Sequence, residues 1–198
     1  VEGWNYDRIE REKKMVTDPW PEGSEKHDVG TDDTALGQIL CHTYIEKQGR
    51  INCEDYARMW LRELNPMKYW FCMKNTYELL KMGVSPRLTG VFNVVTGSGL
   101  MAIAPVGLFN ACDPESAYID AIELASMFQR DLDVYIPAVI SAAIAEAMRP
   151  EATVDSVIDC AIRIAPDKPF VTFDEREPNN LKDTLKKTVE IASKYDDV

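Results

Sequence analysis

The sequence predicts an all-α protein. Apolar residues recur at the three-to-four-residue spacing of helices in most segments, and no alternating runs indicate a β-hairpin or a βαβ unit. Residues that favour helix starts stand at the expected boundaries, among them Asn52, Asp113 and Thr153. A chain of 198 residues is long enough to bury one sizeable core, so we predict a single domain over residues 1–198.

The N-terminal half is predicted to hold an irregular start followed by three helices. Residues 1–30 read as irregular, and the stretch Pro19–Ser24 is typical of a loop. Glycine or proline ends each helical pattern that follows, as is usual at helix termini. The predicted helices run from Leu36 to Gly49, from Asn52 to Pro66 and from Met67 to Met82.

The stretch from Leu88 to Cys112 contains no charged side chain. It is long enough to span a bilayer, but its glycines and Pro105 break helices, and its polar residues would stay unsatisfied in lipid. We therefore predict a buried, glycine-rich loop flanked by helix, and no association with a membrane.

The C-terminal part is predicted to contain further helices. Residues 113–115 are typical of a helix start, with Asp at the cap and Pro in the first turn. Residues 134–148 are apolar almost all round, which places that helix at the centre of a bundle. Thr153 begins another helix, and residues 178–195 form a last one with a polar face. We interpret residues 168–175 as a short extended piece.

Charge and cysteine content exclude several classes of function. The net charge of −11 argues against binding to nucleic acid or to an anionic membrane surface. The chain has two histidines, which excludes a histidine-rich zinc site. Its five cysteines form no C-x-x-C pair, and this favours a reduced, cytoplasmic chain with buried thiols.

The acidic stretch Thr31–Thr34, read "TDDT", precedes the first helix and has two interpretations. Thr and Asp are common helix caps, and carboxylates in the first turn are favoured by the helix dipole. Alternatively, one aspartate caps the helix while the other faces a cleft, and the Thr31 hydroxyl completes a set of hard oxygen donors. Such donors suit Mg²⁺, Mn²⁺ or Ca²⁺. The other clustered acids, Glu54-Asp55, Asp131 and Asp133, are interpreted as ordinary capping residues.

An ordered series of motifs extends over most of the chain. It consists of "VGTDDT" before an apolar helix, then "EDYARMWL", then a glycine loop running into "MAIAPVGLFNACDPESAY". This series resembles the ADP-ribosylglycohydrolase family. The resemblance implies an orthogonal all-α bundle with a two-magnesium centre, Mn²⁺ being the alternative ion. It also implies cleavage of the bond between ADP-ribose and an acceptor such as arginine, serine or a small molecule.

The resemblance implies roles for the acidic residues. Thr31, Asp32 and Asp33 match the family's first metal-binding motif. Glu2 matches a glutamate that lies beside the metals in some relatives and assists catalysis or gates the site. The base that deprotonates the attacking water would be Asp33 or Glu2, and the sequence does not decide between them. The partners implied are an ADP-ribosylated protein or a small ADP-ribosyl or nucleoside-like substrate.

The same resemblance assigns substrate binding to Gly97, Ser98 and Gly99. These residues match a loop that lies at the ribose and phosphates of the substrate in relatives. Bare backbone there allows a ligand to approach closely, and backbone amides can act as donors. Without the family, the same residues would be interpreted as a packing turn between two helices.

Three departures from the family pattern stand out. A second acidic motif, "D-x-D-T" near the C-terminus, is absent, so the expectation is a partial chain that lacks terminal helices. Ala102 stands where many relatives have arginine in "M-R-x-A-P-V-G". Residues 127–129 stand where many relatives have "L-T-H". The last two departures suggest a divergent branch with a substrate other than ADP-ribosyl-arginine.

Two hypotheses about function follow. The first is a magnesium-dependent hydrolase of an ADP-ribosyl bond, based on residues 31–33 and on the motif series. The second is a non-catalytic binding or structural member of the family, or an inactive fragment, favoured by the absent second motif and by Ala102. Loss of outer helices would also expose apolar side chains and promote self-association. Those side chains are Val139, Ile140 and Ile144.

Overall fold

The computed structural model describes residues 5–13, 32–69, 71–169 and 180–195. Within these ranges the chain forms eleven α-helices, and the β-structure there is limited to an isolated bridge between Pro169 and Asn180. The all-α prediction is therefore confirmed. No helix in the described part is both long and apolar enough to cross a membrane.

The helices vary from one turn to more than four turns. In chain order they are α1 (Tyr6–Lys13), α2 (Asp32–Lys47), α3 (Cys53–Glu63), α4 (Phe71–Lys81), α5 (Pro86–Thr89), α6 (Gly99–Ala102), α7 (Ala104–Phe109), α8 (Pro114–Ser126), α9 (Leu132–Ala147), α10 (Val154–Ile164) and α11 (Leu181–Ala192). Two 3-10 turns, Pro66–Lys68 and Gly90–Phe92, precede α4 and follow α5. The chain divides into two compact units, residues 1–31 and residues 32–198.

The first unit contains α1, in a region predicted to be irregular, so that part of the prediction was wrong. The Asn5 side chain accepts the backbone N–H of Arg8 at 2.9 Å and so caps the helix start. One turn further on, Arg8 Nε donates to Glu12 Oε1 at 3.3 Å. Local pairs of this kind support a helix that lacks an apolar stripe, which is why hydrophobic spacing did not reveal it.

In the second unit, α2 and α3 pack against each other and form one part of the core. α2 buries the residues whose spacing predicted it: Leu36, Ile39 and Leu40. α3 buries Tyr56 and Trp60, whose rings meet edge to face with centroids 5.5 Å apart. α2 begins at Asp32, ahead of its apolar repeat, so residues 32–34 of the acidic stretch belong to the helix itself.

α9 lies at the centre of the second unit, as its apolar sequence predicted. It packs against α6, α7, α8 and α10. Glycines let α6 and α7 approach it closely: a Cβ at Gly99 would lie 2.7 Å from the carbonyl oxygen of Asp133, and one at Gly107 would lie 2.6 Å from that of Ser141. Backbone carbonyls in a packed core do not move aside easily, so both positions require glycine.

The uncharged stretch from Leu88 to Cys112 is not a single buried loop. It contains the second 3-10 turn, α6 and α7, with short connections between them. Its outer surface carries exposed apolar side chains, namely Val91, Phe92, Val94 and Val95. The prediction of burial was therefore wrong for these four residues, although it holds for Asn93, Gly99 and Gly107.

α10 and α11 supply the cover for the remaining side of α9. Val139 is 2% exposed and belongs to a cluster with Ala165 and Leu181. The expectation that Val139 is exposed was wrong, because the two C-terminal helices lie over it; Ile140 is 39% exposed. The extended piece predicted at residues 168–175 lies mostly outside the described residues.

Candidate active site at the start of α2 and the loop before α6

Asp32 and Asp33 of the predicted metal motif lie in the first turn of α2. Asp32 is half-buried and Asp33 is exposed. Both carboxylates lie at the amino end of a helix, where the dipole favours negative charge. Thr31, the third predicted ligand, and Glu2, the alternative base, lie outside the described residues. The structure therefore places two of the four residues, on one accessible helix turn.

The surroundings of Asp32 fit a divalent cation of the magnesium type. Tyr69, which follows the 3-10 turn Pro66–Lys68, is buried near it. Burial, and then the negative charge of Asp32, raise the pKa of Tyr69. Within the described ranges Asp32 makes no ion pair with a basic side chain. A half-buried carboxylate without a cationic partner is a suitable hard oxygen ligand for Mg²⁺.

A cleft of about 220 Å³ begins one helical turn beyond Asp32. Ala35 and Ile39 line it, and they lie three and seven residues after Asp32, on the same face of α2. His42 and Glu63 also line it, and His42 Nδ1 lies 2.8 Å from Glu63 Oε2. The acidic turn therefore adjoins a concave surface that carries hydrogen-bonding groups.

The loop from Val94 to Ser98 leads into α6 and contains the predicted substrate-binding residues. Gly97 is exposed and has a φ of +76°. A Cβ added to it would meet no other atom within 4 Å. Ser98 is buried, and its Oγ lies 2.9 Å from Oγ1 of Thr96. Gly99 is buried against α9. Gly97 is therefore open to a ligand, whereas Gly99 has the packing role that the alternative interpretation described.

Asp133 anchors this loop through hydrogen bonds to the loop backbone. The residue is 3% exposed, and its Oδ2 accepts the backbone N–H groups of Thr96 and Gly97, the latter at 2.6 Å. Its interpretation as a helix cap was wrong, because the carboxylate is used by a loop 36 residues earlier in the chain. Asp131 stands at the cap position but makes no capping hydrogen bond. The Gly97 amide, expected to donate to a ligand, is already engaged by Asp133.

Two more buried side chains tie Thr96 to the core. Gln129 Nε2 donates to Thr96 Oγ1 at 3.3 Å, and Cys72 Sγ lies 3.5 Å from the same oxygen. Cys72 also donates to the carbonyl oxygen of Val94 at 3.5 Å. Gln129 is 1% exposed, so this departure from the family's "L-T-H" pattern is part of the scaffold beneath the loop.

Asn93 fixes the start of the loop. Its Nδ2 donates to Thr76 Oγ1 and to the carbonyl oxygen of Phe128, both at 2.9 Å. Its Oδ1 accepts from Asn75 Nδ2 at 2.7 Å. Sequence reasoning missed Asn93, Gln129 and Asp133, because their partners lie far away along the chain and no local pattern marks them.

The acidic turn and the loop lie on neighbouring elements of the second unit. α2 packs against α6, and the loop leads directly into α6. Ala102, the position at which many relatives have arginine, is 2% exposed and belongs to the core. No cationic side chain therefore extends from this position toward a ligand.

A second group of metal-ligand types occurs at the start of α3. Cys53, Glu54 and Glu123 offer atoms within 4.8 Å of one another. Arg87 pairs with both carboxylates, its Nε lying 2.7 Å from Glu54 Oε1 and its Nη2 3.0 Å from Glu123 Oε1. Burial, helped by a hydrogen bond to Glu54, raises the pKa of the Cys53 thiol to about 12. A protonated thiol and two paired carboxylates form a structural ion-pair network rather than a cation site.

The helical fold, with an accessible acidic turn and a firmly anchored glycine loop, is compatible with a hydrolase of the kind that the motif series suggested. A family model described as ADP-ribosylglycohydrolase matches residues 1–197. The chain belongs to the ADP-ribosylglycohydrolase family, which is a family of glycosidic hydrolases. No significant match was found among curated proteins or among solved structures.

Proposed function

We propose that the chain is a magnesium-dependent hydrolase that cleaves an ADP-ribosyl N- or O-glycosidic bond. The observation that carries the proposal is the half-buried Asp32 carboxylate, which opens α2 next to Asp33 and has no basic partner in the described ranges. Family membership supplies the class of reaction. Mn²⁺ is the alternative ion.

In this proposal Thr31, Asp32 and Asp33 hold one side of a two-metal centre. When bound, such ions orient the ribose hydroxyls and a water molecule and stabilise the negative charge that develops on the leaving atom. Asp33 or Glu2 accepts the proton of the attacking water. The anomeric carbon becomes oxocarbenium-like as the bond breaks. Residues 97–99 form the surface on which the ribose and phosphates of the substrate lie.

The metal site is tested by calorimetric titration with Mg²⁺, followed by titration with ADP-ribose. Asp32→Asn and Asp33→Asn are expected to weaken Mg²⁺ binding by about tenfold or more, because each removes a charged ligand. Asp155→Asn is the matched control, since Asp155 is also an exposed acid in the first turn of a helix with a threonine cap. It is expected to leave Mg²⁺ affinity unchanged.

The titration also separates the two hypotheses about function. Heat with Mg²⁺ that is lost in the two α2 variants supports the hydrolase. Heat with ADP-ribose but none with Mg²⁺ would favour the non-catalytic binding protein. No heat with either ligand would contradict both the metal site and the substrate.

We further propose that the acceptor is not arginine. The family's arginine position is the buried Ala102, and the "L-T-H" position of relatives is occupied by residues 127–129, which serve the core. Release of ADP-ribose is measured from ADP-ribosyl-arginine, from an ADP-ribosyl-serine peptide and from a small O-linked ADP-ribosyl compound. The arginine substrate is expected to have a kcat/KM about tenfold lower than the best of the others. Equal values would contradict the proposal.

Two further proposals concern the cellular compartment and self-association. All five cysteines are unpaired, and we infer from this that the protein works in a reducing, cytoplasmic compartment.

Self-association is tested by light scattering. With Val139 covered, the exposed apolar residues Val91, Phe92, Val94 and Val95 offer a better contact surface than the one expected from the sequence.

A further inference from the structure

The buried Asp133 carboxylate serves the loop before α6 rather than its own helix. Only 3% of Asp133 is exposed, and its Oδ2 accepts the backbone N–H groups of Thr96 and Gly97. A buried charge is unfavourable unless hydrogen bonds compensate it. The two amides supply that compensation, so the carboxylate and the loop hold each other in place.

The part of the loop that Asp133 holds is the part that is open to a ligand. Gly97 has a φ of +76°, and the space where a Cβ would stand is empty to 4 Å. A short connection with an exposed glycine has many alternative conformations, and fixing it requires specific contacts. Asp133 provides two such contacts at the turn itself, and both are strengthened by its charge.

We propose that Asp133 is a positioning residue that fixes Thr96 and Gly97 in the conformation that receives the substrate. This inference rests on the proposed function, which places the substrate at residues 97–99. Both amides donate to Asp133 and therefore hold the loop in its conformation. The open space at Gly97 is left for the substrate.

Two substitutions at Asp133 separate its charge from its hydrogen bonds. Asp133→Ala removes the acceptor, and the dissociation constant for ADP-ribose is expected to rise about tenfold or more. Asp133→Asn keeps an oxygen that accepts the same N–H groups, so a smaller rise of about threefold is expected. Asp131→Asn is the control, because Asp131 is exposed two residues away and makes no capping bond. It is expected to bind ADP-ribose like the wild type.

The readouts are calorimetry with ADP-ribose and with Mg²⁺, the thermal midpoint, and hydrogen exchange. A merely structural role would lower the midpoint of the Asp133 variants and leave the affinity of the folded fraction unchanged. We expect lower ADP-ribose affinity, partial rescue in Asp133→Asn, and unchanged Mg²⁺ affinity. In the wild type, the amides of Thr96 and Gly97 are expected to exchange slowly before any ligand is added.

Equal ADP-ribose affinity of wild type and folded Asp133→Ala would overturn this inference and leave the proposed function standing. If Asp133→Ala does not fold, unchanged affinity in Asp133→Asn together with rapid exchange of the two wild-type amides would overturn it instead. A wild-type protein that binds no ADP-ribose would refute the proposed function itself. The three outcomes are therefore distinguishable.

Discussion

Two helices of this chain begin with adjacent acidic residues, and the two pairs have different surroundings. α2 begins with Asp32-Asp33, and the first turn of α3 contains Glu54-Asp55. Asp55 is 6% exposed and is bound by three groups around it. These are the backbone N–H of Asn52 at 3.2 Å, Lys47 Nζ at 3.2 Å, and the guanidinium of Arg58.

Glu54, the other acid of α3, pairs with Arg87 through two hydrogen bonds. Both acids of α3 are therefore committed to holding the helix and its neighbours in place. Asp32 has no such basic partner in the described part of the chain, and the buried side chain of Tyr69 lies near it. The same local pattern thus gives a structural pair in one helix and a candidate ligand pair in the other.

The largest expected difference between the two helix starts is in turnover. Asp32→Asn is expected to lower the rate of ADP-ribose release about 100-fold or more, because it removes a charged ligand of the catalytic centre. Glu54→Gln, the matched change in α3, is expected to alter the rate less than about twofold. Initial rates at saturating substrate and Mg²⁺ provide the measurement. A comparable loss in both variants would show that the acids of α2 are structural as well.

Stabilisation by Mg²⁺ is the second contrast. A ligand that binds only the folded state at about 100 times its dissociation constant raises the free energy of unfolding by about 2.7 kcal/mol. Urea unfolding with and without Mg²⁺ should show this gain in the wild type and in Glu54→Gln. Asp32→Asn should lose most of it. A gain that persists in Asp32→Asn would place the ion elsewhere in the molecule.

Without metal, substitution of an α3 acid should lower the free energy of unfolding more than substitution of an α2 acid. Asp55→Ala is expected to lower the free energy of unfolding by about 1–2 kcal/mol, because it removes one half of a capping box and two ion-pair contacts. Asp32→Ala is expected to cost less than about 1 kcal/mol, since Asp32 has no basic partner in the described ranges and the change removes chiefly its favourable interaction with the helix dipole. Urea unfolding in a chelating buffer measures both. A larger loss in Asp32→Ala would contradict the assignment of Asp55 as the structural acid.

Local patterns predicted the features that depend on neighbours in sequence. The apolar spacing of α2, the Asn52 cap of α3 and the central position of α9 were all predicted correctly. α1 was missed because its support comes from charged pairs and not from an apolar face. The exposure of residues 91–95 was also missed, because an uncharged sequence does not show which of its faces is covered.

The candidate site likewise contains one feature that local sequence predicted and others that it did not reveal. The acidic turn could be named from the sequence because its donors are consecutive residues. The loop could be named only through the family, and its support could not be named at all. Asp133, Gln129 and Asn93 each act on backbone or side chains more than fifteen residues away. Such contacts arise only when α4, α8 and α9 pack around the loop. The single-domain prediction, the metal, and the roles of Glu2, residues 31–33 and residues 97–99 stay predictions.

The smallest expected effect is the change, at low pH, in the contribution of an α3 acid to the free energy of unfolding. Hydrogen bonding to Arg87 lowers the pKa of Glu54 from its ordinary value of 4.5. A carboxyl group with a lowered folded-state pKa contributes stability above its unfolded pKa, and this contribution is lost as the pH falls through the folded value. The free energy of unfolding of the wild type should therefore exceed that of Glu54→Gln by about 0.5 kcal/mol at pH 6, and the difference should be smaller at pH 3. Urea unfolding at both pH values measures it. In an Arg87→Met background, where the pairing is absent, Glu54→Gln should have the same small effect at both pH values, and a difference that persists there would assign the acid response to a partner other than Arg87.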